Sequence, residues 1–222
     1  VERGEETARF DWDRAFGRRA PRVLDIGSGD GSFLLDSARL RPEVDHLGIE
    51  LVAPLAARGA REARDRGLSN VQFVGADAVG WLAGRFGPAS IDEIHLYHPQ
   101  PYFDPALAGL GLLSAGFFER LWEVLVPGGL LVLQTDDRRL GNYLQEACRK
   151  HFIPKIRSGP WPGAPSGRTR REAIAIRKKR SILRIEARRR EAPLQTAPLP
   201  PYFVAGRPGL RTVRSARGRQ RR

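Results

Sequence analysis

The amino-acid sequence predicts an α/β protein, a doubly wound and mostly parallel sheet covered on both faces and finished by a C-terminal antiparallel hairpin. Apolar runs of strand length alternate with helical runs at βαβ spacing as far as Lys150. Nearly every one of those runs ends in a turn that carries glycine, proline or a carboxylate. After Lys150 the texture changes to a short run broken by Pro154, a Gly/Pro loop, a basic helix and one last strand. Apolar residues make up 41% of the 222, which is enough for a real core and excludes a chain disordered throughout.

Residues 1–20 form a lead-in segment in which Phe10, Trp12 and Phe16 fall on one helical stripe, the pattern of a cover over a core. Residues 22–26 are a buried strand, followed by a glycine-rich turn and a helix over 32–39. Strand 46–50 precedes an Ala/Arg helix over 54–66, and strand 71–74 precedes a short helix over 78–86. Residues 91–97 are the fourth strand, and a longer helix is expected over 107–124. Strand 130–134 and helix 138–150 complete the alternation. Beyond it, 152–156 reads as an edge strand, 158–167 as a loop, 169–180 as a basic helix and 181–187 as a strand pairing back on 152–156. The expected organisation is lead-in 1–20, a single domain over 21–190 and a basic, disordered tail over 191–222.

No stretch approaches the roughly 20 apolar residues of a membrane span. The charged N-terminus lacks an apolar signal core, so the expectation is a cytoplasmic protein. A lone Cys148 excludes a disulfide framework and a cysteine metal cluster. His95 and His98 alternate on a strand end with no Cys or acid at ligand spacing, so no metal is expected. The oligomeric state is left open, with a monomer as the working expectation. The net charge of +13 is divided unevenly. Residues 1–148 carry 16 basic and 22 acidic side chains, whereas residues 149–222 carry 22 and 3. An acidic body joined to a strongly basic end is the footprint of a polyanion binder, RNA or DNA before an anionic membrane, because no segment pairs its charge with a long apolar face.

Ligands on such sheets bind outside the carboxyl ends of the strands. There, Leu24-Asp25-Ile26-Gly27-Ser28-Gly29-Asp30-Gly31 places an acid and alternate glycines between strand and helix. Gly27 and Gly29 let the backbone turn tightly and approach a ligand. A dinucleotide fingerprint requires a third glycine where this chain has Ser32. Asp25 repels phosphate but can pair with an ammonium, which favours the zwitterionic nucleoside S-adenosylmethionine over NAD. Glu50 ends the second strand 19 residues beyond Gly31 and can accept ribose hydroxyls, or act as an ordinary helix N-terminal acid. Asp77 follows the third strand and can accept from an adenine amino group, or cap the next helix. At the fourth strand end, Pro99 and Pro101 bracket Gln100. A base can stack on Tyr102 while the amide reads its edge.

At this point the chain resembles the tRNA (guanine-N7-)-methyltransferases, from about Asp11 to Arg188. The resemblance rests on Asp11-Trp12, Phe16-Gly17, the glycine loop, Leu47-Gly48-Ile49-Glu50 and Gly67-Leu68-Ser69-Asn70-Val71 leading to Asp77. It continues through Pro127-Gly128-Gly129, Thr135-Asp136 and Thr169-Arg170-Arg171-Glu172. It implies a Rossmann-like methyltransferase sheet, S-adenosylmethionine as cofactor, tRNA as partner and methyl transfer to guanine-N7. By the same resemblance, Asp25, Glu50 and Asp77 hold the cofactor, while Asp136, Thr169 and Glu172 line the guanine or cofactor pocket. Thr169 and Glu172 are equally a capping box. One departure concerns the acid assigned to catalysis. The family carries Pro-Asp-Pro-Trp and then a Lys/Arg-rich stretch where this chain has Pro99-Gln100-Pro101-Tyr102 and an apolar run over 103–113. Gln100 therefore keeps two alternatives open, an RNA-binding relative with weakened or absent catalysis and a methyltransferase of another base or small molecule. The cations Arg168, Arg170, Arg171, Arg177, Lys178, Lys179 and Arg180 are expected to replace the missing loop as phosphate contacts.

Overall fold

The computed structural model describes residues 8–101, 104, 108, 109 and 111–204. Seven strands form one sheet in the order β3-β2-β1-β4-β5-β7-β6. β1 (Arg22–Ile26), β2 (Asp45–Glu50), β3 (Val71–Gly75), β4 (Ile91–Tyr97) and β5 (Leu125–Thr135) are parallel. β7 (Leu183–Arg189) runs antiparallel between β5 and β6 (Phe152–Ile156), so the C-terminal hairpin forms with its second strand inserted. The order reverses at β1 and β4, and this opens a crevice at their carboxyl ends.

Strand alternation divides the core in two. Val23 packs with Phe33, Leu34 and Leu35 of α2 (Ser32–Leu40) and Ala63 of α3 (Ala53–Asp65). Its neighbour Leu24 joins the larger cluster, with Leu82 of α4 (Ala78–Arg85), Phe118 and Leu121 of α5 (Ala115–Val124) and Leu144 of α6 (Arg138–Arg149). α6 buries Leu140, Leu144, Ala147 and Cys148 on one face, the spacing of an amphipathic helix. The N-terminal aromatics belong to this larger cluster as expected. Trp12 of α1 (Trp12–Phe16) stacks on Phe16 at 5.8 Å and meets Phe10 edge-on at 5.3 Å. No helix among the described residues is long and apolar enough to cross a membrane.

Three expectations are corrected. The helix expected over 107–124 is broken by a turn at 111–114, and α5 starts at Ala115, where Ser114 caps it by accepting from the Phe117 N–H at 3.3 Å; residues 107 and 110 lie outside the described residues. β5 starts at Leu125 rather than residue 130. Leu125 pairs with Ile91 and a register shift follows, with Gly128 at φ +71° in the irregular stretch of the strand. Residues 191–204, expected as the start of a disordered tail, lie against the body. The Leu194 N–H donates to Lys150 O at 2.8 Å, the Tyr202 N–H donates to Leu113 O at 2.9 Å, and Leu199 and Tyr202 pack on the larger cluster. Two apolar anchors in a proline-rich stretch suffice to seat it. Residues 205–222 lie outside the described residues.

Candidate active site

A cavity of about 540 Å³ opens at the switch between β1 and β4. One wall is Asp25 and the glycine loop. The other is built from His98 and Gln100 after β4, Asp136 after β5, and Arg170, Arg171 and Lys178 at the two ends of α7 (Arg170–Arg177).

On the first wall, Asp25 is 3% exposed, and among the described residues no hydrogen bond reaches its carboxylate. Burial, and then the charge of Glu50, push its pKa up to about 8. Gly27 and Gly29 have φ of +74° and +57°, and a Cβ on either would meet nothing within 4 Å, so bare backbone borders open space. Glu50 and Asp77 are placed differently. Glu50 accepts from the Gly29 N–H at 2.8 Å and the Val52 N–H at 2.9 Å, tying the glycine loop to the end of β2. Asp77 is exposed and caps α4, accepting from the Val79 N–H at 3.3 Å and the Gly80 N–H at 3.2 Å. Of the three acids, Asp25 alone lines this cavity.

The second wall holds Asp136, whose side chain is 3% exposed among cations. It accepts from His98 Nδ1 at 3.1 Å, from Arg171 Nε and Nη2 at 3.2 Å and from Arg180 Nη1 at 2.7 Å. Burial pulls its carboxyl upward, but the Arg180 hydrogen bond and the Arg171 charge outweigh burial and hold it down at about 2. Gln100 is exposed and faces the cavity, as does Thr169, which caps α7 by accepting from the Glu172 N–H at 3.1 Å. Tyr102 lies outside the described residues.

Glu172 does not line the cavity. It is fully buried, accepts from the Arg168 N–H at 2.7 Å and is gripped by Arg184 at 2.9 and 2.6 Å. Half of the capping box forms, at the Thr169 hydroxyl, while the Glu172 carboxylate reaches past the cap to the Arg168 N–H and has Arg184 as a buried counter-ion. Arg168 turns inward as well. Its guanidinium stacks 4.5 Å from the Trp161 ring and donates to the Tyr97 hydroxyl at 3.2 Å, which removes it from the phosphate-facing cations. Gln134, Trp161 and Arg184 were missed by sequence reasoning. Only Trp161, a lone tryptophan in a Gly/Pro loop, carried a signal of an anchored residue.

A buried carboxylate without a hydrogen-bond partner, beside bare glycine backbone, fits a ligand carrying an ammonium and a flat nucleoside. The sequence model of a family described as a putative methyltransferase matches residues 19–182. A tRNA (guanine-N(7)-)-methyltransferase of Alkalilimnicola ehrlichii is 33% identical over 187 residues, 83% of this chain and 79% of the relative. One from Burkholderia mallei is 37% identical over 59% of this chain, a match spanning about half, 49%, of that relative. Among solved structures, the 16S rRNA methyltransferase KamB superposes with a TM-score of 0.56 at 18% identity, covering 80% of this chain and 92% of that one, and so shares the fold. The chain belongs to the tRNA (guanine-N(7)-)-methyltransferase family, whose methyl donor is S-adenosylmethionine.

Proposed function

We propose that the protein transfers the methyl group of S-adenosylmethionine to N7 of a guanine in tRNA, with the cytoplasm as its place of work. The observation that carries this reading is the single cavity. It joins Asp25 and the glycine loop to Asp136, His98 and Gln100 under a rim of α7 cations. S-adenosylmethionine supplies an electrophilic methyl group on a cationic sulfur. Asp25 binds the donor's ammonium, and Gly27 and Gly29 let its body lie against the backbone. Glu50 holds that loop in place and has lone pairs left for ribose hydroxyls, while Asp77, the exposed cap of α4, takes the adenine amino group in this reading.

Guanine N7 carries a lone pair and no proton, so this chain needs no general base. The task of the second wall is alignment and charge. Gln100 hydrogen-bonds the guanine edge, and Asp136 offsets the positive charge that develops on the base. Arg170, Arg171, Lys178 and Arg180 take the flanking phosphates, and Thr169 fixes the start of the helix that presents them.

The test is a methyl-transfer assay with bulk tRNA and labelled donor, followed by mass spectrometry of the nucleosides. The expected product is 7-methylguanosine. Absence of donor binding by calorimetry, or label in another nucleoside, overturns the reading. A second reading is favoured by Gln100, whose amide cannot balance charge as the family's acid does. If transfer appears only in the Gln100→Asp variant, the natural protein is an RNA binder. If both proteins transfer and Gln100→Asp is faster, the natural enzyme is a weakened one.

A further inference from the structure

We propose that Gln134 and Trp161 are positioning residues for this methyl transfer, holding His98 as the neutral tautomer protonated on Nδ1 beside Asp136. The proposal takes the reaction from the reading above, but its core concerns the free protein. It begins at Trp161, which is 2% exposed and whose indole N–H can only donate. The indole donates to Gln134 Oε1, so the amide nitrogen of Gln134, itself 1% exposed, faces the other way. That nitrogen lies 2.9 Å from His98 Nε2. An amide NH₂ can only donate, so Nε2 must accept and Nδ1 must carry the ring proton. Nδ1 then donates to Asp136 Oδ1 at 3.1 Å. One donor-only group in a loop thereby orients the amide that keeps Nε2 an acceptor, while the ionised Asp136 holds the proton on Nδ1.

The backbone reinforces this arrangement. The His98 N–H donates to Gln134 O at 2.7 Å, locking the ends of β4 and β5 together. His98 has φ +50°, in the left-handed region that a residue other than glycine seldom adopts. The turn brings the ring between Gln134 and Asp136, whose hydrogen bonds hold its orientation. A second proton on the ring would point Nε2–H at an NH₂ group, donor against donor. Burial acts in the same direction and lowers the His98 pKa, as does the charge of Arg171, whereas Asp136 and Glu172 favour the charged ring.

The consequence for catalysis is electrostatic. Asp136 already meets the cations Arg171 and Arg180, and the guanine becomes cationic as N7 is methylated. A charged His98 would add another positive charge at the place where one must be accommodated. Gln134 keeps that charge away, and this matters more in a chain whose Gln100 supplies no carboxylate.

The experiment is ¹⁵N–¹H correlation of imidazole resonances in ¹⁵N-histidine-labelled protein between about pH 5.5 and 8.5, with His98 assigned through His98→Gln. His98 is expected to show the Nδ1–H tautomer throughout in the natural protein. In Gln134→Glu the ring should become imidazolium within this range. The methylation kcat should then fall about tenfold per pH unit below the new pKa, with the donor KM unchanged. Trp161→Phe keeps the ring and removes the N–H, freeing the amide to turn its oxygen toward Nε2. With the Nδ1 proton still held by the ionised Asp136, a rise in the His98 pKa toward the imidazolium is expected, and this variant serves if Gln134→Glu fails to fold. An imidazolium or an Nε2–H tautomer at pH 7 in the natural protein overturns the proposal. So does a Trp161→Phe spectrum, or a Gln134→Glu pH profile, that superimposes on the natural one. If the natural protein methylates no tRNA, the reaction reading fails while the resonances still decide the tautomer.

Discussion

The two walls of the cavity are built on opposite plans. Around the Asp25 wall, backbone is held by acids that do not line the cavity: Glu50 grips the Gly29 and Val52 N–H groups, and Asp77 grips Val79 and Gly80. The facing wall is held by side chains reaching across the chain, with His98 and Arg180 meeting Asp136 from 38 and 44 residues away and Arg168 meeting Tyr97 from 71. Backbone contacts survive most side-chain changes but tolerate no extra Cβ where the loop turns. Side-chain networks tolerate backbone adjustment but fail when one member is removed. Damage to either wall should therefore be separable from the other.

The largest effect is expected on the networked wall. Arg184 is 7% exposed and makes two hydrogen bonds to the wholly buried Glu172. Arg184→Ala leaves that carboxylate buried without its counter-ion, and a loss of about 3–5 kcal/mol in urea unfolding is expected. Arg184→Ala combined with Glu172→Leu should recover much of the loss, because the uncompensated charge is gone. Donor affinity, measured by calorimetry below the melting range, should not change in either variant. A drop there would mean that the two walls are mechanically coupled.

Next comes Asp25→Asn, which targets the opposite wall. With a carboxyl near 8 in the native protein and an ordinary carboxylate range near about 4 unfolded, the native state keeps a proton that the unfolded chain releases. The stability of the free natural protein should therefore fall as pH rises from about 4 to about 8 and then level off. Asparagine removes this dependence and should leave the free protein more stable at neutral pH. Its donor affinity should be about 10- to 100-fold weaker at pH 8, from loss of a charge-assisted contact. In the natural protein, affinity should rise toward pH 8 as Asp25 ionises. Parallel pH profiles for the two proteins would show that Asp25 does not meet the ammonium.

The same contrast explains what could be seen in the sequence. Asp25, Glu50 and Asp77 were visible because each ends a strand of regular spacing, and strand ends converge in this sheet. What each acid does was not visible, since lining a cavity and capping a helix differ by a side-chain rotation rather than by position. Thr169 and Glu172 showed their local capping pattern. Arg184 and the pairing of Gln134 with Trp161 left no trace, because a polar contact between residues 12 or 27 apart on different elements imposes no period. The helix expected over 107–124 was too long at its described start for a related reason: the turn at 111–114 and the Ser114 cap that open α5 are local polar contacts.

A smaller effect tests the intolerance of the glycine loop. Gly31 has φ +78°, and a Cβ there would sit 2.8 Å from the Phe73 ring and 3.3 Å from Gly59 Cα. Gly31→Ala combines left-handed strain with a clash against a packed aromatic, for which about 2 kcal/mol of stability is expected. Donor affinity should fall with it, because Gly29 and Gly31 share one turn, while the tRNA KM stays unchanged. A change in tRNA KM without one in donor affinity would invert the assignment of the walls.

The smallest effect is expected for Thr169→Ala at the start of α7. The variant loses the hydroxyl that accepts from the Glu172 N–H, and helix caps of this kind contribute about 1 kcal/mol. Glu172 keeps its grip on the Arg168 N–H and on Arg184, so the helix should stay in place and fray only at its first turn. Arg170 and Arg171 sit on that turn and line the cavity. The expected kinetic signature is a modest rise in tRNA KM, with kcat and donor affinity kept, measured at low and high salt. Thr169→Ser should restore both stability and KM, because it returns the hydroxyl without the methyl. If serine restores stability but leaves KM raised, the methyl of Thr169 touches the substrate and the residue belongs to the binding surface as well as to the cap.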